Sequence, residues 1–250
     1  MNQWGFVLTK IDDNHYNLVC KNDNPFSGDI NPKIYGIMVD ILQRKRIEGI
    51  KEISKDFYDE SYFEGKSEKS GLNNYDETSK AFAEEHAKKR VEKLITLLGG
   101  NKVWKILEIG CAFGHTVDKL KELGYLAIGW DISQYAVCKH IRKYENMIIN
   151  ITDYNPNEHR KMDLIYGFNL MEHIAEIDLR DTISNLYCTL GNKSCLFLTI
   201  DSEWGLDQSH QTIRPREWWN KLFISGGFKI HEAGTEMFKG INGYVFQKGE

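Results

Sequence analysis

The chain has 250 residues, of which 41% are hydrophobic and 27% are charged, and its formal net charge is −4. A chain of this length can bury a large core, and its composition is that of a folded globular protein rather than a disordered one. The negative net charge provides no basic surface for a polyanion, so we expect no nucleic acid among the partners.

The five cysteines form no C-x-x-C pair. The first residues, MNQWGFVLTKIDD, lack the basic flank and the sustained apolar run of a signal peptide, and no apolar stretch approaches membrane-spanning length. We therefore expect reduced thiols, no membrane contact and a cytoplasmic location.

Residues 1–56 differ in pattern from the rest and are predicted to be a small N-terminal extension. WGFVLTKI and YNLVCK alternate like two strands across a turn, and the following residues fit either a strand and a helix or one long helix. The extension has no counterpart in a minimal α/β fold, so we expect it to form a homodimer contact or one wall of a substrate site.

Residues 57–250 are predicted to be one domain. The stretch KDFYDESYFEGKSEKSGLNNYDETSK is aromatic yet polar, as in a loop that folds over a ligand. KAFAEEHAKKRVEKLITLLGG then has apolar residues at helical spacing, including Phe82 and Val91, and ends in a glycine pair.

Strand and helix patterns alternate from Trp104 onward. Apolar runs such as WKILEIG, LAIGWD, MDLIYGF and SCLFLTI are separated by amphipathic stretches. FKIHEAGTEMF and INGYVFQK, joined at Lys239 and Gly240, are predicted to form a C-terminal antiparallel hairpin. The sequence therefore predicts an α/β, Rossmann-like, mostly parallel seven-stranded sheet with helices on both faces and this hairpin at its end.

The first strand ends in a glycine loop, LEIGCAFGHT, where open parallel sheets bind ligands. A dinucleotide fingerprint would need glycine at 110, 112 and 115, but the chain has Ala112 and His115, and no Gly-Lys-Ser/Thr of a P-loop follows. The pattern that fits is Glu-x-Gly-x-x-x-Gly, with an acidic residue, Asp131, at the end of the next strand.

These residues resemble motif I and the following acidic position of class I S-adenosylmethionine-dependent methyltransferases. The resemblance extends over residues 57–248, with NITDY, MDLIYGFNLMEHI and GGF matching later motifs in the correct order. It implies S-adenosylmethionine as the cofactor. The cofactor-binding residues that it implies are Glu108, Gly110, Cys111, Ala112, Gly114, Asp131, Ile132, Asp153, Tyr154, Asn169 and Tyr75.

A methyltransferase that acts on a hydroxyl must align the acceptor and remove its proton, and histidine suits the proton step. His173 follows the fourth strand, and His210 lies in a polar loop after the fifth, so both are candidate bases. Some related O-methyltransferases bind a divalent metal through Glu-His and an acidic residue three positions earlier. Asn169 occupies that position here, so no metal is predicted, although Asp201 could supply a carboxylate.

The expected substrate is a small molecule. Trp204, Arg214 and Tyr62 are candidate substrate contacts, since arginine suits a diphosphate and the aromatic residues suit a ring. YDESYFEG and NNYDE look like methyltransferases of bacterial surface-glycan pathways, which implies O-methylation of a nucleotide-activated hexose or heptose for capsule or lipopolysaccharide. The alternatives are N- or O-methylation of a small phosphorylated metabolite or phosphoramidate, and a noncatalytic interaction protein.

Overall fold

The computed structural model describes residues 6–10, 16–20, 53, 55–64, 74–141, 148–150, 161–202 and 207–249. The chain divides into two compact units, Met1–Gly49 and Ile50–Glu250. In the first unit, β1 (Phe6–Lys10) and β2 (Tyr16–Cys20) pair antiparallel, with Phe6 opposite Cys20. This is the pairing that the alternating pattern predicts, whereas the helix expected further along the extension lies outside the described residues.

The second unit is built on one twisted sheet. Its strands are β3 (Lys105–Ile109), β4 (Leu126–Asp131), β5 (Ile148–Asn150), β6 (Met162–Phe168), β7 (Leu190–Thr199), β8 (Phe228–Ile230) and β9 (Gly243–Lys248). They lie side by side in the order β5-β4-β3-β6-β7-β9-β8. The first five run parallel, and β9 is antiparallel to both of its neighbours.

Helices connect the strands. They are α1 (Glu60–Phe63), α2 (Tyr75–Glu84), which continues through a π-helical segment (Glu85–Glu92) into α3 (Lys93–Leu97), then α4 (His115–Glu122), α5 (Gln134–Ile141), α6 (Leu179–Thr189), α7 (Arg216–Ser225) and α8 (Glu232–Phe238). The predicted α/β Rossmann-like fold with a mostly parallel sheet and helices is confirmed.

Each face of the sheet carries its own hydrophobic core, because neighbouring residues of a strand point to opposite faces. Ile106 packs on one face with α3 and α4, whereas Leu107 packs on the other with α6 and α7. Burial on both faces explains why the central strands are almost continuous apolar runs. The fold thereby brings the carboxyl ends of β3, β4, β6 and β7 to one edge of the sheet, called here the carboxyl edge.

The expected loop over residues 55–80 is partly wrong. Lys55–Phe57 forms a 3₁₀ turn, α1 follows, and α2 already begins at Tyr75. The side chain of Asp59 accepts the N–H of Tyr62, and the side chain of Asn74 accepts the N–H of Glu77. These N-terminal caps favour helix in a stretch that looks too polar to fold.

The predicted apolar face of the next helix also needs a correction. Val91, Leu94 and Ile95 are buried as expected, but Phe82 is 48% exposed. The π-helical segment between them adds a residue to one turn, which rotates the helix before it relative to the helix after it. Ala83 and Ala87 take the buried positions instead.

The prediction of a C-terminal hairpin is wrong in the connection between its two strands. β8 and β9 do pair antiparallel, but α8 separates them where FKIHEAGTEMF was expected to continue as a strand. The ring Nδ1 of His231 accepts the N–H of Gly234 and so begins this helix. A Cβ at Gly234 would lie 2.9 Å from Val245, so glycine lets α8 pack closely on β9.

Among the described residues, no helix is both long enough and apolar enough to cross a membrane. Four of the cysteines, Cys111, Cys138, Cys188 and Cys195, are free thiols, and the first and last of these are buried.

Candidate active site

The glycine loop after β3 turns sharply at the carboxyl edge. Gly110 and Gly114 have φ values of +67° and +70°, and Ala112 has φ +47°, a conformation that L residues rarely adopt. The N–H groups of Gly110 and Cys111 both donate to the carbonyl oxygen of Trp130. A Cβ at Gly110 would come within 2.8 Å of the Leu170 side chain, so the loop approaches the neighbouring strand end as closely as glycine allows.

Asp131, at the end of β4, holds this loop in place. One of its carboxylate oxygens accepts the N–H of Ala112 at 2.7 Å, and the other accepts the N–H of Ser133 at 2.8 Å. The carboxylate is buried, and burial raises its pKa above the usual range. The backbone of Ile132 also bonds to this carboxylate, which still has a lone pair for a ligand hydroxyl.

Glu108 lies beneath the same loop. It is 5% exposed, and burial raises its pKa to about 8. One of its carboxylate oxygens is buried without a hydrogen-bond partner. Two buried carboxyl groups beside this loop suit a ligand that offers hydroxyl groups as hydrogen-bond donors.

A small aromatic cluster packs against the loop. It contains Tyr62, Phe63, Phe113, Ala112 and Ala136, with Phe57, Tyr58, Tyr75 and Tyr135 partly buried around them. The ring of Phe63 lies 5.0 Å from that of Phe113, and Ser133 donates to the carbonyl oxygen of Tyr58 at 2.6 Å. Residues 55–64, called here the aromatic segment, are therefore joined to the glycine loop.

A second polar cluster lies at the ends of β6 and β7. Candidate ligand atoms of Glu172, His173 and His210 all lie within 4.8 Å of one another. The two histidine rings are 4.8 Å apart. Burial lowers the pKa of His173 to about 4, so this imidazole is neutral at pH 7.

Glu172 ties the two loops of this cluster together. Its carboxylate accepts the N–H of Asp201, and its carbonyl oxygen accepts the N–H groups of Gln211 and Thr212. Glu172 is fully buried, one of its carboxylate oxygens has no hydrogen-bond partner, and burial raises its pKa to about 8. Asp201, considered from sequence as a metal ligand, meets Glu172 through this backbone N–H.

Two residues that the sequence patterns did not indicate join the cluster. Ser209 bonds to Nδ1 of His173 at 2.6 Å, and its hydroxyl donates to Asp207 at 2.5 Å. Asp207 also accepts the hydroxyl hydrogen of Tyr62 at 3.0 Å. The only sequence signal was the close spacing of polar residues in LDQSH, which does not show that they are buried.

The remaining predicted residues are distributed around this edge. Asn169 is exposed, has φ +48°, and accepts the hydroxyl hydrogen of Thr199. Ile132 is 40% exposed beside the glycine loop, whereas Cys111 and Tyr62 are buried. Arg214 pairs with Glu176 at 2.6 Å. Tyr75 is half-buried, 5.2 Å from the ring of Phe63.

Three predicted residues, Asp153, Tyr154 and Trp204, lie outside the described residues.

Comparisons with known proteins agree with this arrangement. A family model described as a methyltransferase domain matches residues 82–232, which is more than half of the chain. No protein of curated function matches the sequence.

Several solved structures share the fold. A S-adenosylmethionine-dependent methyltransferase from Clostridium acetobutylicum is 13% identical, with a TM-score of 0.56 over 70% of this chain and 99% of that one. The magnesium protoporphyrin IX methyltransferase from Synechocystis, solved with S-adenosylhomocysteine bound, is 15% identical, with a TM-score of 0.53 over 78% of this chain and 99% of that one. At these identities the likeness shows the fold alone.

The fold and the family match together define a class I S-adenosylmethionine-dependent methyltransferase. The chain belongs to the methyltransferase domain family, and its cofactor and small-molecule methyl donor is S-adenosylmethionine. The residues present fit that cofactor. The buried carboxylate of Asp131 can accept its ribose hydroxyls, and glycine at position 110 leaves out a Cβ that would meet the Leu170 side chain.

Proposed function

We propose that the protein transfers the methyl group to a hydroxyl of a sugar, namely a nucleotide-activated hexose or heptose for capsular polysaccharide or lipopolysaccharide. The observation that carries the hydroxyl part is the pair of imidazoles at the carboxyl edge, where the half-buried ring of His173 lies 4.8 Å from that of His210. A hydroxyl must lose its proton during transfer, and a neutral imidazole can accept it. The sugar part rests on the resemblance of YDESYFEG and NNYDE to surface-glycan methyltransferases.

The proposed cofactor site begins at the glycine loop. Bound S-adenosylmethionine supplies an electrophilic methyl group on a sulfonium centre. Asp131 binds the ribose hydroxyls and Tyr75 contacts the methionine end. The other proposed cofactor contacts are Glu108, Gly110, Cys111, Ala112, Gly114, Ile132, Asp153, Tyr154 and Asn169.

The proposed acceptor site lies beside the polar cluster. His173 and His210 face the acceptor hydroxyl and act on its proton. Trp204, Arg214 and Tyr62 form the proposed substrate contacts. Arg214 already holds a carboxylate, that of Glu176, and a guanidinium can exchange a carboxylate partner for a diphosphate.

Three further proposals concern the whole chain. The predicted N-terminal extension, residues 1–56, forms a homodimer contact or a wall of the substrate site. The protein works in the cytoplasm, in keeping with four free thiols among the described cysteines. No metal takes part in the reaction.

A panel of acceptors tests the proposed function. GDP-, UDP- and CDP-linked sugars and small phosphorylated compounds are each incubated with the protein and S-adenosylmethionine, and the products are read by mass spectrometry. A methylated nucleotide sugar supports the proposal. Methylation confined to the phosphorylated metabolites would replace the sugar with that acceptor class. No methylated product, with S-adenosylhomocysteine still bound, would contradict the nucleotide-sugar proposal.

Two histidine variants sharpen this test. His173→Gln is expected to lose about 10²-fold or more in turnover, because it removes a proton acceptor. His231→Asn is the matched control, since asparagine can still cap α8, and His231 follows β8, which β9 separates from β7. Equal turnover in both variants would contradict a catalytic role for His173.

A further inference from the structure

A chain of hydrogen bonds leads away from the proposed proton acceptor. Ser209 is fully buried, and its hydroxyl oxygen lies 2.6 Å from Nδ1 of His173 and 2.5 Å from one carboxylate oxygen of Asp207. The N–H of Ser209 donates to that same carboxylate oxygen at 2.8 Å. The distances are those of short hydrogen bonds.

The direction of each hydrogen bond follows from counting protons. A serine hydroxyl has one hydrogen, and an ionised carboxylate can only accept. Asp207 accepts three hydrogen bonds, from the N–H and O–H of Ser209 and from the O–H of Tyr62. Since the hydroxyl hydrogen of Ser209 is used by Asp207, the hydrogen between Ser209 and His173 must come from Nδ1.

We infer that Ser209 and Asp207 are positioning residues that hold His173 as the Nδ1–H tautomer and leave Nε2 as the proton acceptor. The inference rests on the proposed function only for the catalytic role of His173. The tautomer itself rests on the bonds from Nδ1 to Ser209 and from Ser209 to Asp207, and the His173 ring also interacts with the backbone of Asn169 and Ser209. Imidazole in water favours neither position strongly, so a fixed bond to one nitrogen selects the other for chemistry.

This arrangement serves the transfer of the methyl group to the acceptor hydroxyl. The acceptor oxygen forms a bond to the methyl carbon while the carbon–sulfur bond breaks, and its electron pair stays on sulfur. The hydroxyl proton passes to Nε2 of His173, which becomes imidazolium. The positive charge then faces Asp207 through Ser209, and the proton later leaves to solvent.

The same carboxylate connects the base to the glycine loop. Tyr62 donates to the second oxygen of Asp207, and its neighbour Phe63 packs on Phe113 of the loop. The aromatic segment therefore contacts both the cofactor loop and the residues that orient His173.

The tautomer can be read by NMR without any acceptor. The chain has eight histidines, and uniform ¹⁵N labelling of histidine with long-range proton correlation distinguishes the two neutral tautomers of each. The signals of His173 are identified as those absent from His173→Gln. At pH 7 we expect the Nδ1–H form in the wild-type protein and its loss in Ser209→Ala. Ser225→Ala, which removes an exposed hydroxyl from α7, is expected to change nothing.

Other outcomes would overturn the inference. A His173 that is Nε2–H or charged in the wild-type protein contradicts the hydrogen-bond count, and an unchanged tautomer in Ser209→Ala contradicts the role of Ser209. Asp207→Asn is the second test variant, to be used if Ser209→Ala does not fold. Its amide can donate as well as accept, so a mixture of tautomers is expected, and a single unchanged Nδ1–H form would refute the role of Asp207.

Kinetics separate this inference from the proposed function. The charge of Asp207 raises the pKa of His173, against the larger lowering by burial. Asp207→Asn is therefore expected to lower kcat about tenfold or more and to move the acid limb of its pH profile to lower pH, with KM for S-adenosylmethionine unchanged. Loss of activity without that movement would indicate a merely structural role. If no hydroxyl is methylated but the tautomer is as expected, the proposed function fails and the orientation of His173 stands.

Discussion

Replacing Asp131 with alanine tests two roles of one carboxylate. The structure shows it accepting the N–H groups of Ala112 and Ser133, both of which are buried. Each buried donor left without an acceptor costs about 1–3 kcal/mol, so Asp131→Ala should lower the free energy of unfolding by roughly 2–6 kcal/mol. That is a large part of the stability of a typical domain, about 5–15 kcal/mol.

We expect Asp131→Ala to weaken cofactor binding by more than a displaced glycine loop alone would. Asp131→Ala also loses both proposed ribose contacts, each worth about 1.5–3 kcal/mol to a charged acceptor, so we expect no measurable binding of S-adenosylhomocysteine. Asp131→Asn keeps one carbonyl acceptor for the loop but loses the charge. It should be less destabilised than the alanine variant and should still bind weakly.

Urea unfolding and calorimetric titration with S-adenosylhomocysteine measure the two effects separately. Asp163→Ala is the matched control, because Asp163 accepts one backbone N–H, that of Lys105, at the opposite end of β3. It should cost about 1 kcal/mol and leave binding unchanged. If Asp131→Ala bound S-adenosylhomocysteine within twofold of wild type, the ribose role would be refuted. An unchanged free energy of unfolding would refute the role of Asp131 in holding the glycine loop.

The other predictions concern pH, the second histidine and metal. Burial raises the pKa of Glu108 to about 8. The folded chain therefore keeps a proton on Glu108 that the unfolded chain loses above the ordinary glutamate pKa of about 4.3. The free energy of unfolding that the protonated Glu108 contributes is lost as the pH rises from that value toward 8. Glu108→Gln should gain stability relative to wild type at pH 8 compared with pH 5 in urea titrations, and an identical pH dependence of both proteins would show that Glu108 is not the group responsible. His210→Ala should lower turnover by about 10²-fold and cofactor affinity far less; unchanged turnover would leave the proton step to His173 alone. Treatment with EDTA should leave activity intact, whereas a loss restored by added Mn²⁺ or Mg²⁺ would mean that Glu172, His173 and His210 bind an ion.

Much of the fold could be predicted because local sequence determines it. The strands that are buried on both faces are apolar runs bounded by polar or glycine residues, and the structure places LAIGWD and MDLIYGF at Leu126–Asp131 and Met162–Phe168. The glycine loop was recognisable because Gly110 and Gly114 adopt positive φ values, which few other residues do without strain.

The errors fall where capping or packing outweighs the local pattern. His231 caps α8 in a stretch whose alternation suggested a strand, and Asn74 caps α2 inside a stretch that suggested a loop. The exposure of Phe82 follows from a π-helical turn that the residue pattern does not predict.

The polar cluster shows most clearly what cannot be predicted from local sequence. Histidines in polar loops could be proposed as bases from sequence, but the bond from Ser209 to His173 joins residues 36 positions apart. Such a pairing depends on how two loops meet at the carboxyl edge. It also involves Tyr62, which comes from the aromatic segment, 145 positions before Asp207 in the chain. Only the folded chain brings these three parts together.

The most direct test of the proposed function is to find the atom that receives the methyl group. The protein is incubated with S-adenosylmethionine labelled with ¹³C in its methyl group and with the nucleotide sugars of the panel, and the product is examined by carbon–proton correlation NMR. A labelled methyl group bonded to a sugar oxygen, absent with His173→Gln and present with His231→Asn, is the predicted result. A labelled methyl group on nitrogen, or an O-methylated product formed equally well by His173→Gln, would contradict hydroxyl methylation at this histidine.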